Sequence, residues 1–225
     1  MNKNTLIGPF RQLLTMAGLP LKGALSDHQL EIIDEAGLVV ADGKVVATGE
    51  YQDLKERYAE AQRVVLEGDH VCMPGFIDAH THICFGGSRA NDYALRNAGK
   101  TYLEIAKAGG GIWDTVMQTR KASEEELVQR TAARARRRLN NGITTLEVKS
   151  GYGLTVAHEL KMLRAIKQAS TQVTSDLIPT CLAAHMLPKD YEGTAAEYLD
   201  EISRVLFPKL IKEKLSRRID AFIEE

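Results

Sequence analysis

Two histidines one residue apart, His80 and His82, follow a short apolar run, Phe76-Ile-Asp-Ala79. Strand side chains alternate between faces, so residues i and i+2 project together. Two neutral imidazoles at that spacing can hold a divalent metal such as zinc. A bare His-X-His is weak evidence, because exposed or hydrogen-bonded histidines with that spacing are commoner than ligands. Position adds weight: the C-terminal end of an apolar strand is where α/β enzymes place catalytic groups.

Other reactive side chains carry less. Cys84 lies two residues beyond the pair and reads as a packed thiol. Cys72, Cys84 and Cys181 are far apart with no Cys-X-X-Cys, which excludes a disulfide scaffold and a structural zinc knuckle. Gly109-Gly-Gly111 could cradle an anion but is no P-loop, since no Gly-Lys-Ser/Thr follows. His28, His70 and His158 lack supporting neighbours and read as ordinary polar positions. The basic run Arg134, Arg136, Arg137 and Arg138 reads as a solvated helix face.

The elements that must position the pair fall into two stretches. Residues 1–72 read as a β-rich segment, with a hairpin in Gly37–Gly49 turning at Asp42-Gly43 and another short strand near Val64–Val71. Residues 73–225 alternate strand and helix. Phe76–Ala79 is the first strand. Ser123-Glu-Glu-Glu126 is a capping box opening a helix with Leu127, Ala135 and Leu139, which Asn141-Gly142 stops. Ile143–Val148 is a second strand, leading into the loop Lys149–Gly153 and a helix with Val156, Leu160 and Leu163. Leu177–Leu182 is a third strand ending near His185. A helical stretch with Tyr198, Ile202, Val205 and Leu206 meets Pro208, and Ile219–Ile223 starts a fourth strand. Such alternation implies a parallel sheet with its site at the C-terminal strand ends. Pattern alone leaves open a doubly wound sheet or half of an eight-stranded barrel, which takes about 250 residues.

Composition narrows the function classes. The 225 residues carry a net charge of -1, with 44% hydrophobic and 26% charged residues, so nothing asks for nucleic acid or an anionic membrane. No apolar run approaches the roughly 18 residues that span a bilayer. The N-terminus lacks a signal-peptide core, and the expected location is cytoplasmic.

Pro74-Gly-Phe-Ile-Asp-Ala-His-Thr-His82, after a β-rich segment, resembles the first-strand signature of the amidohydrolase superfamily. Four further blocks occur in order and resemble the imidazolonepropionase family. They are Phe85-Gly-Gly-Ser-Arg-Ala-Asn91, Tyr102-Leu-Glu-Ile-Ala-Lys-Ala-Gly-Gly-Gly-Ile112, Glu147-Val-Lys-Ser-Gly-Tyr-Gly-Leu154 and Ala183-Ala-His-Met-Leu-Pro188. The likeness runs from about Leu38 to the last residue. It implies a (β/α)8 barrel, of which about the first four strands are present, with a small N-terminal β-sandwich segment and one divalent metal, zinc or iron.

Carried over position by position, the resemblance makes His80 and His82 metal ligands. It makes Arg89, Tyr152 and His185 substrate contacts, with His185 also catalytic in polarising the ring. A guanidinium at Arg89 could grip a propionate carboxylate with two parallel hydrogen bonds. The glycines beside Tyr152 permit sharp loop geometry. Lys149 could suggest a carboxylated lysine between two metals, but it follows the second strand rather than the fourth.

The implied reaction is hydrolysis of 4-imidazolone-5-propanoate to N-formimidoyl-L-glutamate, with metal-activated water attacking the ring. The resemblance covers only the family's first half, and the remaining ligands, a histidine and an aspartate on later strands, have no counterpart. Catalytic metal sites usually take three or more protein ligands, so the chain alone is expected to be inactive, its partner a missing C-terminal half or a homo-oligomer. Two other readings remain: another metal-dependent cyclic-amide hydrolase or deaminase, and a non-catalytic chain that self-associates through exposed strands.

Overall fold

Asp42 and Gly43 both take positive φ, 50° and 73°, the geometry of a tight hairpin turn. They join β2 (Ile32–Ala41) to β3 (Lys44–Glu50) with Ala41 opposite Lys44. The computed structural model describes residues 4–223 and divides into two compact units, Met1–Pro74 and Gly75–Glu225.

In the first unit, β1 (Thr5–Leu14) lies between β2, antiparallel to it, and β4 (Gln62–Val65) and β5 (Val71–Cys72), both parallel to it. The result is one five-stranded sheet. Sequence reading anticipated one short strand near Val64–Val71; there are two, with Gly68 at φ 88° between them. It missed β1, whose pairing register shifts between Ile7 and Phe10, across Pro9. Proline has no N–H to give the ladder. The helix α1 (Tyr51–Arg57) packs Tyr51 and Leu54 against Leu6 and Val39, and Phe10, Leu13 and Ala36 form a second small core.

The second unit holds four parallel strands, β6 (Phe76–Asp78), β7 (Ile143–Lys149), β8 (Asp176–Ala184) and β9 (Ile219–Ala221). Their order in the sheet is their order in the chain. A doubly wound sheet reverses its strand order at a switch point. Here there is no reversal, which is the progression of a barrel wall.

β7 shows how the wall is built. Leu146 and Val148 are buried in the main core, while Thr145, Glu147 and Lys149 occupy the other face. Against the apolar face lie α5 (Glu124–Leu139), with Leu127, Val128, Ala132 and Ala135, and α6 (Val156–Ser170), with Leu160, Leu163 and Ile166. A fully buried leucine such as Leu146 or Leu163 contributes roughly 2 kcal/mol by burial. The Ser123 hydroxyl accepts the Glu126 N–H at 3.0 Å and starts α5 where the sequence predicts.

Between β6 and α5 run three helices that hydrophobic periodicity did not reveal, α2 (Ala90–Asn97), α3 (Tyr102–Lys107) and α4 (Gly111–Lys121). After β8, α7 (Ala195–Glu201) passes through a π-helical turn, Ile202–Leu206, into α8 (Phe207–Glu213). Pro208 cannot donate to the preceding turn, and the wide turn runs up to it. Among the described residues no helix is long and apolar enough to cross a membrane.

Candidate active site

Backbone pairing continues past the end of β6. The Lys149 N–H donates to the Thr81 carbonyl at 2.9 Å, and the Thr81 hydroxyl donates to the Glu147 carbonyl. With buried Thr81 tied to β7, His80 and His82 share the other side, their ring centroids 5.3 Å apart.

Two more rings arrive from the next strand ends. Tyr152, in the loop after β7, lies 5.5 Å from His82. His185, just beyond β8, stacks on His82 at 5.5 Å with an interplanar angle of 28° and lies 5.6 Å from Tyr152. The His185 Nδ1 is 2.8 Å from the Gly151 carbonyl. A carbonyl only accepts, so Nδ1 donates, and in the neutral ring Nε2 keeps the lone pair.

The His82 Nδ1 is buried and has no hydrogen-bond partner. Burial, then the nearby positive charges of His185, His80 and Lys149, pull this imidazole down to about 4. It is neutral at pH 7, as a metal ligand must be. Burial pushes the Tyr152 phenol up, against the opposing charge of Arg89, so it stays a donor.

Arg89 stands somewhat apart. It caps α2, its Nε donates to Asp92 Oδ2, and its Nη1 donates to the Thr115 hydroxyl at 3.4 Å. It lines a hollow of roughly 530 Å³ with Asp92, Tyr93, Arg96 and Tyr102, whereas His80 and His82 line one of roughly 550 Å³ with Phe85 and Arg134. The structure thus gathers His80, His82, Tyr152 and His185 at one place and sets Arg89 in a separate hollow. Among the described residues no group of three or more His, Cys, Asp or Glu side chains could hold a metal ion.

No protein-family model matches the chain. Among curated proteins it is 51% identical over 152 residues to the imidazolonepropionase of Myxococcus xanthus, which covers 68% of this chain and 36% of that protein. It is 40% identical over 216 residues to that of Symbiobacterium thermophilum, covering 95% of this chain and 51% of the relative. The chain is a homologue of the imidazolonepropionases. It spans about half the length of most of these relatives. Among solved structures, a triazine hydrolase from Arthobacter aurescens superposes with TM-score 0.64 at 16% identity, over 96% of this chain and 45% of that one. An atrazine chlorohydrolase from Arthrobacter aurescens, solved with zinc, gives TM-score 0.54 at 15% identity, over 96% and 46%. These likenesses show a shared fold.

Several side chains of this imidazolonepropionase homologue do other work than their types suggested. The Gly109–Gly111 run does cradle a carboxylate, that of Asp92. Gly111 N–H donates to Asp92 Oδ2 at 2.9 Å, and a Cβ on Gly110 would come within 2.3 Å of Asp92 Oδ1. Asp92, which sequence reading passed over, therefore braces Arg89 against the start of α4.

Lys149 is an ammonium gripped by two carboxylates, Asp220 Oδ2 at 2.6 Å and Glu147 Oε2 at 3.1 Å. Burial alone would lower it, but the hydrogen bonds that it donates to Asp220 and Glu147 win and raise it. A carboxylated lysine would add a third negative charge there.

The basic run is only partly a solvated face. Arg137 and Arg138 are exposed, but Arg134 donates to the carbonyls of Ile83 and Phe85 at 2.7 and 2.8 Å and lies 3.5 Å over the Phe85 ring. It fastens the loop after His82. Cys84 is fully buried, a packed thiol. His28, His70 and His158 each sit beside a local oxygen, Ser26 Oγ, Glu67 O and Thr155 Oγ1.

Proposed function

We propose that this chain supplies the first half of an imidazolonepropionase-type barrel and takes part in hydrolysing 4-imidazolone-5-propanoate to N-formimidoyl-L-glutamate. The observation that carries this reading is the gathering of His80, His82, Tyr152 and His185 at three consecutive strand ends, in a chain homologous to imidazolonepropionases. The remaining strands would complete a (β/α)8 wall, and the five-stranded unit would join a composite β-sandwich. The enzyme would work in the cytoplasm.

The fit to a divalent metal, zinc or iron, rests on His82. Its ring is neutral, and its buried Nδ1 has no partner. His80 and His82 would supply two ligands, and a working centre needs at least one more from outside the described residues. When bound, such an ion supplies Lewis-acid activation of water.

The chain's own residues bind and orient. Asp92 holds the Arg89 guanidinium from its Nε side and Thr115 takes one Nη1 hydrogen, leaving Nη2 and the second Nη1 hydrogen for a propionate carboxylate. The Tyr152 hydroxyl donates to the exocyclic carbonyl oxygen or to an unprotonated ring nitrogen. His185, held at Nδ1 by Gly151, presents Nε2 to the ring. Holding the planar ring between these groups fixes the angle of attack.

The test uses the metal-loaded natural gene product and its Arg89→Ala variant. Wild type should open imidazolone propionate, and the variant should lose about 100-fold in kcat/KM, in line with a charge-assisted hydrogen-bond pair. The loss should shrink to near nothing on an imidazolone lacking the propionate arm. An equal loss on both compounds removes the carboxylate role.

A further inference from the structure

The loop that carries Tyr152 is wound around one buried carboxylate. Glu159, in the first turn of α6, is fully buried. Its Oε1 accepts the N–H groups of Gly153 and Leu154, both at 2.8 Å, and that of Gly151 at 3.2 Å; its Oε2 also accepts from Gly151, at 3.1 Å. Successive backbone N–H groups converging on one anion form a nest, and here the anion is part of the protein.

The backbone is shaped to permit it. Gly151 has φ 100° and Leu154 has φ 52°, conformations that L side chains rarely take. A Cβ on Gly153 would fall 2.5 Å from the Glu159 backbone nitrogen. The loop carbonyls are held from another element: Arg120 of α4 donates through Nε to Gly153 O at 2.7 Å and through Nη2 to Leu154 O at 3.4 Å.

Glu159 touches no candidate substrate group, yet it sits one residue away from two of them. Tyr152 lies between Gly151 and Gly153, whose N–H groups it clamps. The carbonyl of Gly151 is also the acceptor that holds the Nδ1–H of His185. A single carboxylate therefore holds the loop that carries both the phenol and the carbonyl that accepts from His185.

We propose that Glu159 is a positioning residue that sets the tautomer of His185 and the placement of Tyr152 through Gly151. The inference rests on the reading above that these two side chains face the substrate. A glutamine at 159 keeps the shape but turns an NH2 group toward at least one of three converging N–H donors, so the loop must shift.

The experiment compares the natural gene product with its Glu159→Gln variant by imidazole 15N–1H correlation spectroscopy, the His185 signal assigned with His185→Asn. Wild type should show His185 protonated at Nδ1. The variant should show a mixture with Nε2–H and lose about tenfold or more in kcat/KM on imidazolone propionate, the scale of a misplaced reacting group. A folded variant with His185 still at Nδ1–H and kcat/KM within about twofold overturns the proposal.

Should the variant fail to fold, hydrogen exchange in the wild type decides instead. Amides of Gly151, Gly153 and Leu154 must be protected as strongly as those of β7, and rapid exchange overturns the proposal. A tautomer change in a protein that never opens imidazolone propionate would defeat the functional reading while leaving the positioning role standing.

Discussion

The ammonium of Lys149, at the end of β7, lies 2.6 Å from the carboxylate of Asp220 on β9, so the contact reaches across β8. The Thr180 hydroxyl of β8 joins from below, donating to Glu147 Oε1 at 2.7 Å. Three successive strands are thus tied on their polar face by one charged cluster, beside the candidate site. Lys149→Met should leave two carboxylates facing each other without their cation. A cost of about 2 kcal/mol in urea unfolding is expected, below the full value for a buried pair because Asp220 is partly exposed.

A second tie is made by Lys161 of α6. Its Nζ donates to the carbonyls of Thr119, Arg120 and Ala122 at 3.1, 2.8 and 2.7 Å, closing the C-terminal end of α4. Lys161→Met should cost about 2 kcal/mol in urea unfolding, the scale for hydrogen bonds to a charged donor. A loss below about 0.5 kcal/mol would mean that water replaces the lysine without penalty.

The hydrogen bond from Arg120 beside Asp190 holds that carboxyl below the usual carboxylate range. A carboxyl with a depressed folded-state pKa gives stability that is present above its unfolded pKa and is lost as pH falls through the folded one. Asp190→Asn should therefore lower Tm slightly at neutral pH, leave it nearly unchanged at the acid end where the carboxyl is already protonated, and so flatten part of the acid limb of the Tm-against-pH curve. The effect is below about 1 kcal/mol, because Asp190 is half exposed.

Thiol reactivity should split one against two. Burial pushes both Cys84 and Cys181 up to about 12, and both are fully buried, whereas Cys72 is partly exposed. The thiolate is the reactive form. A disulfide reagent at pH 8 should label one thiol in the native protein and three after unfolding, and Cys72→Ser should abolish the native labelling. Fast labelling of a second thiol would place Cys84 or Cys181 outside the core.

What the sequence displayed, it displayed locally. Asp42-Gly43 and Ser123–Glu126 announce a turn and a cap through chemistry confined to a few residues. The three short helices between Ala90 and Lys121 were hidden because Gly99 and Gly109–Gly111 break their hydrophobic period. One of them did carry a readable signal, the capping box in which Thr101 Oγ1 accepts the Glu104 N–H at 3.3 Å. Strand β1 was masked by Gly8-Pro9.

The site was legible by residue type and only partly by arrangement. His80 and His82 stand out by type and spacing, Tyr152 and His185 only through the family resemblance, and the fold brings the four together. Asp92 and Glu159 do not stand out, because an acidic residue in a helix's first turn reads as solvated. Only the fold shows that their oxygens are filled by backbone N–H groups. Arg134 misled for the converse reason: the arginines that follow it, Arg136, Arg137 and Arg138, are exposed, whereas its own guanidinium lies over Phe85.

The most direct test of the account is a substrate panel offered to the metal-loaded natural gene product: imidazolone propionate, hydantoin propionate and guanine, with products read by mass spectrometry. The account predicts N-formimidoyl-L-glutamate from the first and no turnover of the other two. Ammonia release from guanine, or opening of the hydantoin with imidazolone propionate untouched, would contradict it.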